Sequence, residues 1–198
     1  MARGRTNTIL WRRLDGPGHE FARLRDGGDD GRRVLDGVAI FVEPDEQMPC
    51  RLEYEVVCDA GWRTIAASAH GLVGDRPVHA ELTVDARGRW RLNGVEVPAV
   101  DGCADVDLAF TPATNSLPIR RLGLAVGQRA DARAAWLRYP EFDLAPLDQV
   151  YHRVDATTYE YESSGGHFRA NLRVDCEGWV TSYENTWAIE SSLGFQND

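Results

Sequence analysis

Two aspartates stand two residues apart in the run DVDLAF, at Asp105 and Asp107. On an extended strand, side chains at i and i+2 point to one side of the sheet, close enough for carboxylates to perturb each other. Such a pair does general acid and base work when its surroundings push the two pKa values apart. Alternatively, it balances the paired arginines Arg120 and Arg121 just downstream. Between carboxylates and arginines lie Thr111, Thr114 and Asn115, whose hydroxyls and amide offer donors and acceptors to a sugar or a headgroup. Thr-Pro and Asn-Ser are also ordinary turn formers, so the residues by themselves leave both readings open.

Other catalytic templates are missing. There is no GxSxG ahead of a helix-like stretch and no HExxH, and a P-loop is impossible because every basic residue is arginine. His19, His70, His79, His152 and His167 are scattered, and Cys50, Cys58, Cys103 and Cys176 show neither CxxC nor a cysteine–histidine zinc spacing. No metal or other cofactor is therefore expected, and the cysteines read as free packing residues. The N-terminus MARGRTNTILWRRLDGPG lacks the apolar core of a signal peptide, and no apolar run is long enough to cross a bilayer. The expectation is a cytoplasmic chain without stable membrane insertion. A formal net charge of −9 argues against nucleic acid and against an anionic membrane surface.

The elements that must position these residues are strands. In RLEYEVV, Leu52, Tyr54 and Val56 alternate with Arg51, Glu53 and Glu55, the period of a half-buried strand. HAELTVD and RWRLNG read as one hairpin, HFRANLRVD and WVTSYENTWAI as a second, and DVDLAF as a further strand. TILWRRL, HEFARL, RRVLDGVAIFV, GWRTIAASAH, ADARAAWLRY, QVYHRV and TTYEYES bring the total to about a dozen. Many short strands at regular spacing indicate a sandwich or barrel. In TNSLPIRRLGL, Asn115 or Ser116 caps a short helix, with Pro118 in its first turn and Gly123 ending it. DGGDDG at 26–31 reads as a loop tip, and no composition shift divides the chain, so one domain is expected over 1–198 with its core at about 11–190.

Aromatic residues are spread over the strands. Trp62, Trp90, Trp136, Trp179 and Trp187, with Tyr54, Tyr151, Tyr159, Tyr161 and Tyr183, suit a cavity for an amphiphile or, equally, an ordinary core. Trp62, Trp90, Tyr151 and Tyr183 are the candidates for lining such a cavity.

The run DGCADVDLAFTPATNSLPIRRLGL, followed by AWLRYPEFDLAPLDQVYHRV and YEYES, resembles the bacterial putative glycolipid-binding family. GWR at 61–63 and GRWRLNG at 88–94 extend the resemblance from about Trp11 to Trp187, with TPxTNxLPIRRL as its specific core. It implies a mainly β fold, in which a curved antiparallel sheet forms an incomplete barrel around an apolar cavity, with one or two short helices at the mouth. It implies a non-catalytic protein for a lipid or glycolipid. The pattern carries over at Asp107, Thr111, Asn115, Arg120 and Arg121. Arg120 and Arg121 would then meet a phosphate or carboxylate, Asp107 and Asn115 sugar hydroxyls, and the aromatic face the acyl part. In an alternative, Arg120 and Asp107 lock the plug onto the barrel. Two rival readings stay open: an enzyme using Asp105 or Asp107 on an apolar substrate, and an interaction protein without a cavity. Open strand edges also admit a homodimer.

Overall fold

The computed structural model describes residues 6–26, 31–43 and 47–194. The tip of DGGDDG, residues 27–30, lies outside the described residues.

Alternation builds each strand. Along β4 (Met48–Cys58), Cys50, Leu52, Tyr54, Val56 and Cys58 are buried while their neighbours face outward. Along β6 (Arg76–Val84), Val78, Ala80 and Leu82 do the same. These strands belong to a first meander in which every strand pairs antiparallel with the next. It runs through β1 (Thr6–Arg13), β2 (Gly18–Asp26), β3 (Arg33–Glu43), β4, β5 (Thr64–Val73), β6, β7 (Trp90–Leu92) and β8 (Val95–Glu96). A second run comprises β9 (Asp105–Leu108), β10 (Arg129–Leu137), β11 (Leu144–Arg153), β12 (Thr158–Ser163), β13 (Phe168–Val174), β14 (Val180–Tyr183) and β15 (Trp187–Leu193). Pairing of β1 with β15 joins the two runs into one curved 15-stranded sheet, whose edges β8 and β9 do not pair with each other. The curl brings β9 against β5 nevertheless: Thr64 N–H donates to the Ala104 carbonyl at 2.9 Å, and Thr64 Oγ1 accepts from Val106 N–H at 3.0 Å.

Mainly β and incompletely closed, the fold matches the sequence reading, and both expected hairpins form. RADARAAWL, compatible with a helix by its alanines, is strand β10. WVTSYENTWAI splits into β14 and β15 around a turn closed by Thr186 N–H on the Tyr183 carbonyl. The antiparallel expectation fails at β9, which runs parallel to β10 with Asp107 opposite Trp136. A parallel neighbour requires a long crossover, and here the crossover turns inward. It contains a 3₁₀ turn at Ala113–Asn115 and helix α1 (Ser116–Leu122), and residues 113–119 are all buried on the concave face. Gly123, at φ 54°, takes the left-handed conformation that ends α1 and donates to the Ile119 carbonyl. No helix among the described residues is long and apolar enough to cross a membrane.

One glycine sets the packing beneath this plug. Gly37 of β3 is the cross-strand partner of Tyr54, and a Cβ built there would lie 2.5 Å from the Tyr54 hydroxyl and 2.7 Å from the Phe21 carbonyl. Its missing side chain lets the Tyr54 phenol lie across β3. Gly37→Ala is therefore expected to cost about 1–3 kcal/mol by overpacking, read as a lower midpoint of urea unfolding. An unchanged midpoint would show that the phenol is free to move aside.

Candidate functional site

Three alanines clear the floor of the site. Ala130, Ala132 and Ala134 recur at period two on β10, opposite Tyr151, Gln149 and Leu147 of β11. Small side chains here leave space above the sheet for the plug and for the two aspartates, which project to one side of β9 as their spacing requires.

The aspartates then part ways. Asp105 is fully buried and receives a bidentate grip from Arg121, with Nε to Oδ1 at 2.9 Å and Nη2 to Oδ2 at 2.5 Å. Burial pushes the Asp105 carboxyl up and the guanidinium pulls it back. Asp107 has no cationic partner among the described residues. Gln149 Nε2 donates to its Oδ2 at 2.7 Å, and Oδ1 accepts no hydrogen bond among the described residues. Burial, with a smaller push from Asp105, raises the Asp107 carboxyl to about 6 against the restraint of the Gln149 bond.

Behind Asp107 runs a buried polar chain. Gln149 Nε2 also donates to the Tyr161 hydroxyl at 2.9 Å, the Tyr151 hydroxyl donates to Gln149 Oε1 at 3.4 Å, and Asn115 Nδ2 donates to the Tyr151 hydroxyl at 3.0 Å. Such a chain holds Gln149, and through it the carboxylate, in one orientation. In front of Asp107 opens a cleft of about 270 Å³, lined by Asp107, Ala109, Thr111, Asn115, Trp136, Leu147, Tyr161, Ser163, Ser164, Phe168 and Tyr183. Tyr161, Phe168 and Tyr183 pack edge to face with centroids 6.1–6.2 Å apart, and Phe168 is exposed at the rim.

Of the residues expected at a site, Asp107, Thr111, Asn115 and Tyr183 meet at this cleft, and Tyr151 stands directly behind it. Arg121 is committed to Asp105, so the lock on the plug is Arg121 with Asp105 and not Arg120 with Asp107. Arg120 and Trp62 line a different cleft. Trp90 is fully buried under the β6–β7 hairpin, where its indole Nε1 donates to the Cys103 carbonyl, and it does not line the Asp107 cleft. Asn115 takes the N-cap position of α1 but makes no capping bond, because its amide is drawn to Tyr151. Sequence reasoning passes over Gln149, Ser163 and Glu20. Each is a polar residue in the inward phase of its strand, and that misplaced phase was the available signal.

Glu20 is the most extreme of the three. It is fully buried on β2; Tyr54 and Thr111 hydroxyls both donate to Oε1 at 2.5 Å, while Oε2 has no partner among the described residues. Burial raises its carboxyl to about 8, and the two hydroxyls only partly offset this. Thr111 also accepts from Ala113 N–H at 2.9 Å, so it ties this acid to the start of the plug.

Residues 8–188 match the model of a family described as Putative glycolipid-binding. A solved structure of a DUF1089 family protein from Pseudomonas aeruginosa is similar, with 36% identity, a TM-score of 0.72, and coverage of 83% of this chain and 88% of that one. A search of curated proteins found no match.

Two predictions concern stability. The folded Glu20 carboxyl titrates at about 8 against an ordinary value of 4.5, so between these values the folded protein keeps a proton that the unfolded chain releases. Stability then falls as pH rises across that window. Glu20→Gln should flatten the slope and at neutral pH gain roughly 3 kcal/mol; thermal unfolding of both proteins across the window checks it, and parallel curves would refute it. Asp105→Ala leaves the Arg121 guanidinium unpaired and is expected to cost about 3 kcal/mol or more, whereas Asp107→Asn should be neutral or stabilising. Equal losses in denaturant melts would contradict that division of labour.

Proposed function

The chain belongs to the putative glycolipid-binding family, and from that premise we propose that the Asp107 cleft binds the sugar headgroup of an amphiphilic lipid or glycolipid. The observation that carries the proposal is a carboxylate with one unengaged oxygen, Asp107 Oδ1, set among Trp136, Tyr161 and Tyr183. Sugar rings have hydroxyls around the edge and C–H groups on the faces. An ionised carboxylate accepts two hydroxyls, and aromatic rings cover the apolar face. Asn115, Ser163 and Ser164 offer further donors and acceptors along the wall.

Volume supports a headgroup and not a whole lipid. The cleft, about 270 Å³, falls just below the roughly 300–1,000 Å³ of pockets that enclose drug-sized ligands. Residues 113–119 occupy the interior where an acyl chain would otherwise lie. In this reading the chains stay outside, beyond the exposed Phe168 at the rim.

A second reading makes Asp107 a general base, since its carboxyl is raised to about 6 by burial in an aromatic cleft. It lacks a second acid, because Asp105 is held by Arg121. Incubating a glycolipid with the protein and following the headgroup by NMR separates the two readings: an unchanged spectrum supports binding alone, and a new product supports catalysis.

Binding is tested by calorimetric titration with a panel of octyl glycosides below their micellar concentrations. Asp107 is ionised above about 6, while burial holds the tyrosines Tyr151, Tyr161 and Tyr183 protonated well past neutrality. Affinity should therefore fall as pH drops through that value, and Asp107→Asn should lose about tenfold or more at pH 7.5. If no member binds, or octanol binds as well as the glycosides, the sugar site is wrong.

A further inference from the structure

A larger cleft, of about 340 Å³, opens where the ends of β2 and β3 meet the β4–β5 and β13–β14 turns, and it shares no lining residue with the Asp107 cleft. Its centre is Arg120. The guanidinium lies 5.2 Å from the Trp62 ring centroid and 5.1 Å from that of Trp179, held between two indoles. Trp62 is in the left-handed region at φ 66°, a conformation that a bulky side chain adopts only where its surroundings impose it. Gly178 admits Arg120 closely, since a Cβ there would stand 3.3 Å from Arg120 Cγ.

The two neighbouring arginines are ion-paired, and among the described residues Arg120 is not. Arg121 grips Asp105, and Arg33, stacked on Trp62 at 5.3 Å, pairs with Asp26 at 2.9 Å. Arg120 makes no ion pair among the described residues, and its single hydrogen bond runs from Nη1 to the Ser116 carbonyl at 3.1 Å. A guanidinium carries five N–H donors, so most of its capacity is unspent in a place where burial drives its pKa down to about 10. The indole Nε1 of fully buried Trp179, the ring stacked on Arg120, has no hydrogen-bond partner among the described residues.

The acids near Arg120 are Asp175 and Glu177. Asp175 accepts from the N–H groups of Glu177 and Trp179 through Oδ1, and of the two acids its charge does more to hold the Arg120 pKa up against burial. Glu177 lines the cleft, and its carboxylate has no hydrogen-bonded partner among the described residues. Asp26 and Glu177 both line the cleft, yet neither carboxylate pairs with the desolvated, stacked guanidinium of Arg120.

We propose that this cleft is a second binding site, for a phosphate group held by Arg120 between Trp62 and Trp179. Arg120 supplies the charged fork, Arg33 stays paired with Asp26 beyond Trp62, and the carboxylate of Glu177 on the same wall opposes a bound phosphate. The site stands independently of sugar binding at Asp107.

The test follows the indole N–H resonances of Trp62 and Trp179 in ¹H–¹⁵N spectra while sodium phosphate is added, against sodium chloride at matched ionic strength. Saturable shifts with phosphate alone are expected. Arg120→Gln should weaken the affinity about tenfold or more, Glu177→Gln should tighten it about threefold, and Asp107→Asn should leave it unchanged. If Arg120→Gln does not fold, Glu177→Gln still decides. Phosphate shifts that match chloride in the wild type, or a Glu177→Gln protein that binds phosphate no better, would overturn the proposal. A parallel titration with dihexanoyl phosphatidylglycerol below its micellar concentration identifies the source. Tighter binding than phosphate assigns a lipid headgroup, and equal or weaker binding assigns free phosphate.

Discussion

A sheet whose edges never pair leaves its concave face to be covered by something else, and the segment between β9 and β10 is that cover. Bringing irregular chain into an apolar interior is expensive unless its own backbone groups and those of the strands it touches find partners. The hydroxyls of the segment do this. Thr114 accepts from Leu108 N–H, Ser116 from Val180 N–H, and Thr111 from Ala113 N–H. The Arg121–Asp105 pair then fastens α1 to the edge strand. The density of polar residues in TPATNS is thus first a condition of burying that segment, and only afterwards a supply of groups to the cleft beside it.

Polar residues in the inward phase of otherwise apolar strands follow from the same arrangement. Glu20, Gln149 and Ser163 sit where the alternation demands hydrophobes. Gln149 finds partners in Asp107, Tyr161 and Tyr151 and becomes the support of a carboxylate that has no ion-pair partner among the described residues. Among the described residues Glu20 finds two hydroxyls and leaves one oxygen unpaired. A buried polar group without a full set of partners works against stability, and two such groups, Glu20 and Trp179, touch the plug segment through Thr111 and Arg120.

Consecutive arginines acquire different surroundings for a geometric reason. Neighbouring residues on an α-helix point about 100° apart around its axis. Arg121 therefore faces β9 and its aspartate, while Arg120 faces the β4–β5 and β13–β14 turns and their tryptophans. Two identical side chains in sequence become a structural ion pair and a stacked cation that makes no ion pair among the described residues.

Local chemistry is legible in the sequence. Period two in RLEYEVV or HFRANLRVD dictates a strand with one apolar face, because backbone pleating alone sends alternate side chains to opposite sides. Pro118 and Gly123 bound α1 because of their own backbone preferences. The i, i+2 spacing of Asp105 and Asp107 places them on one side of a strand whatever lies beyond. What lies beyond was decided only by tertiary structure. The pairing of β1 with β15, the parallel setting of β9 and the closure of β5 on β9 depend on contacts between residues far apart in the chain, which no local period encodes. Those contacts gave Asp105 a cation and left Asp107 with an amide, turned Asn115 from a helix cap to Tyr151, and buried Trp90 away from the cleft that Trp136 lines. Residue type and spacing determine which groups can do chemistry; the partner each one meets across the sheet determines which of them does.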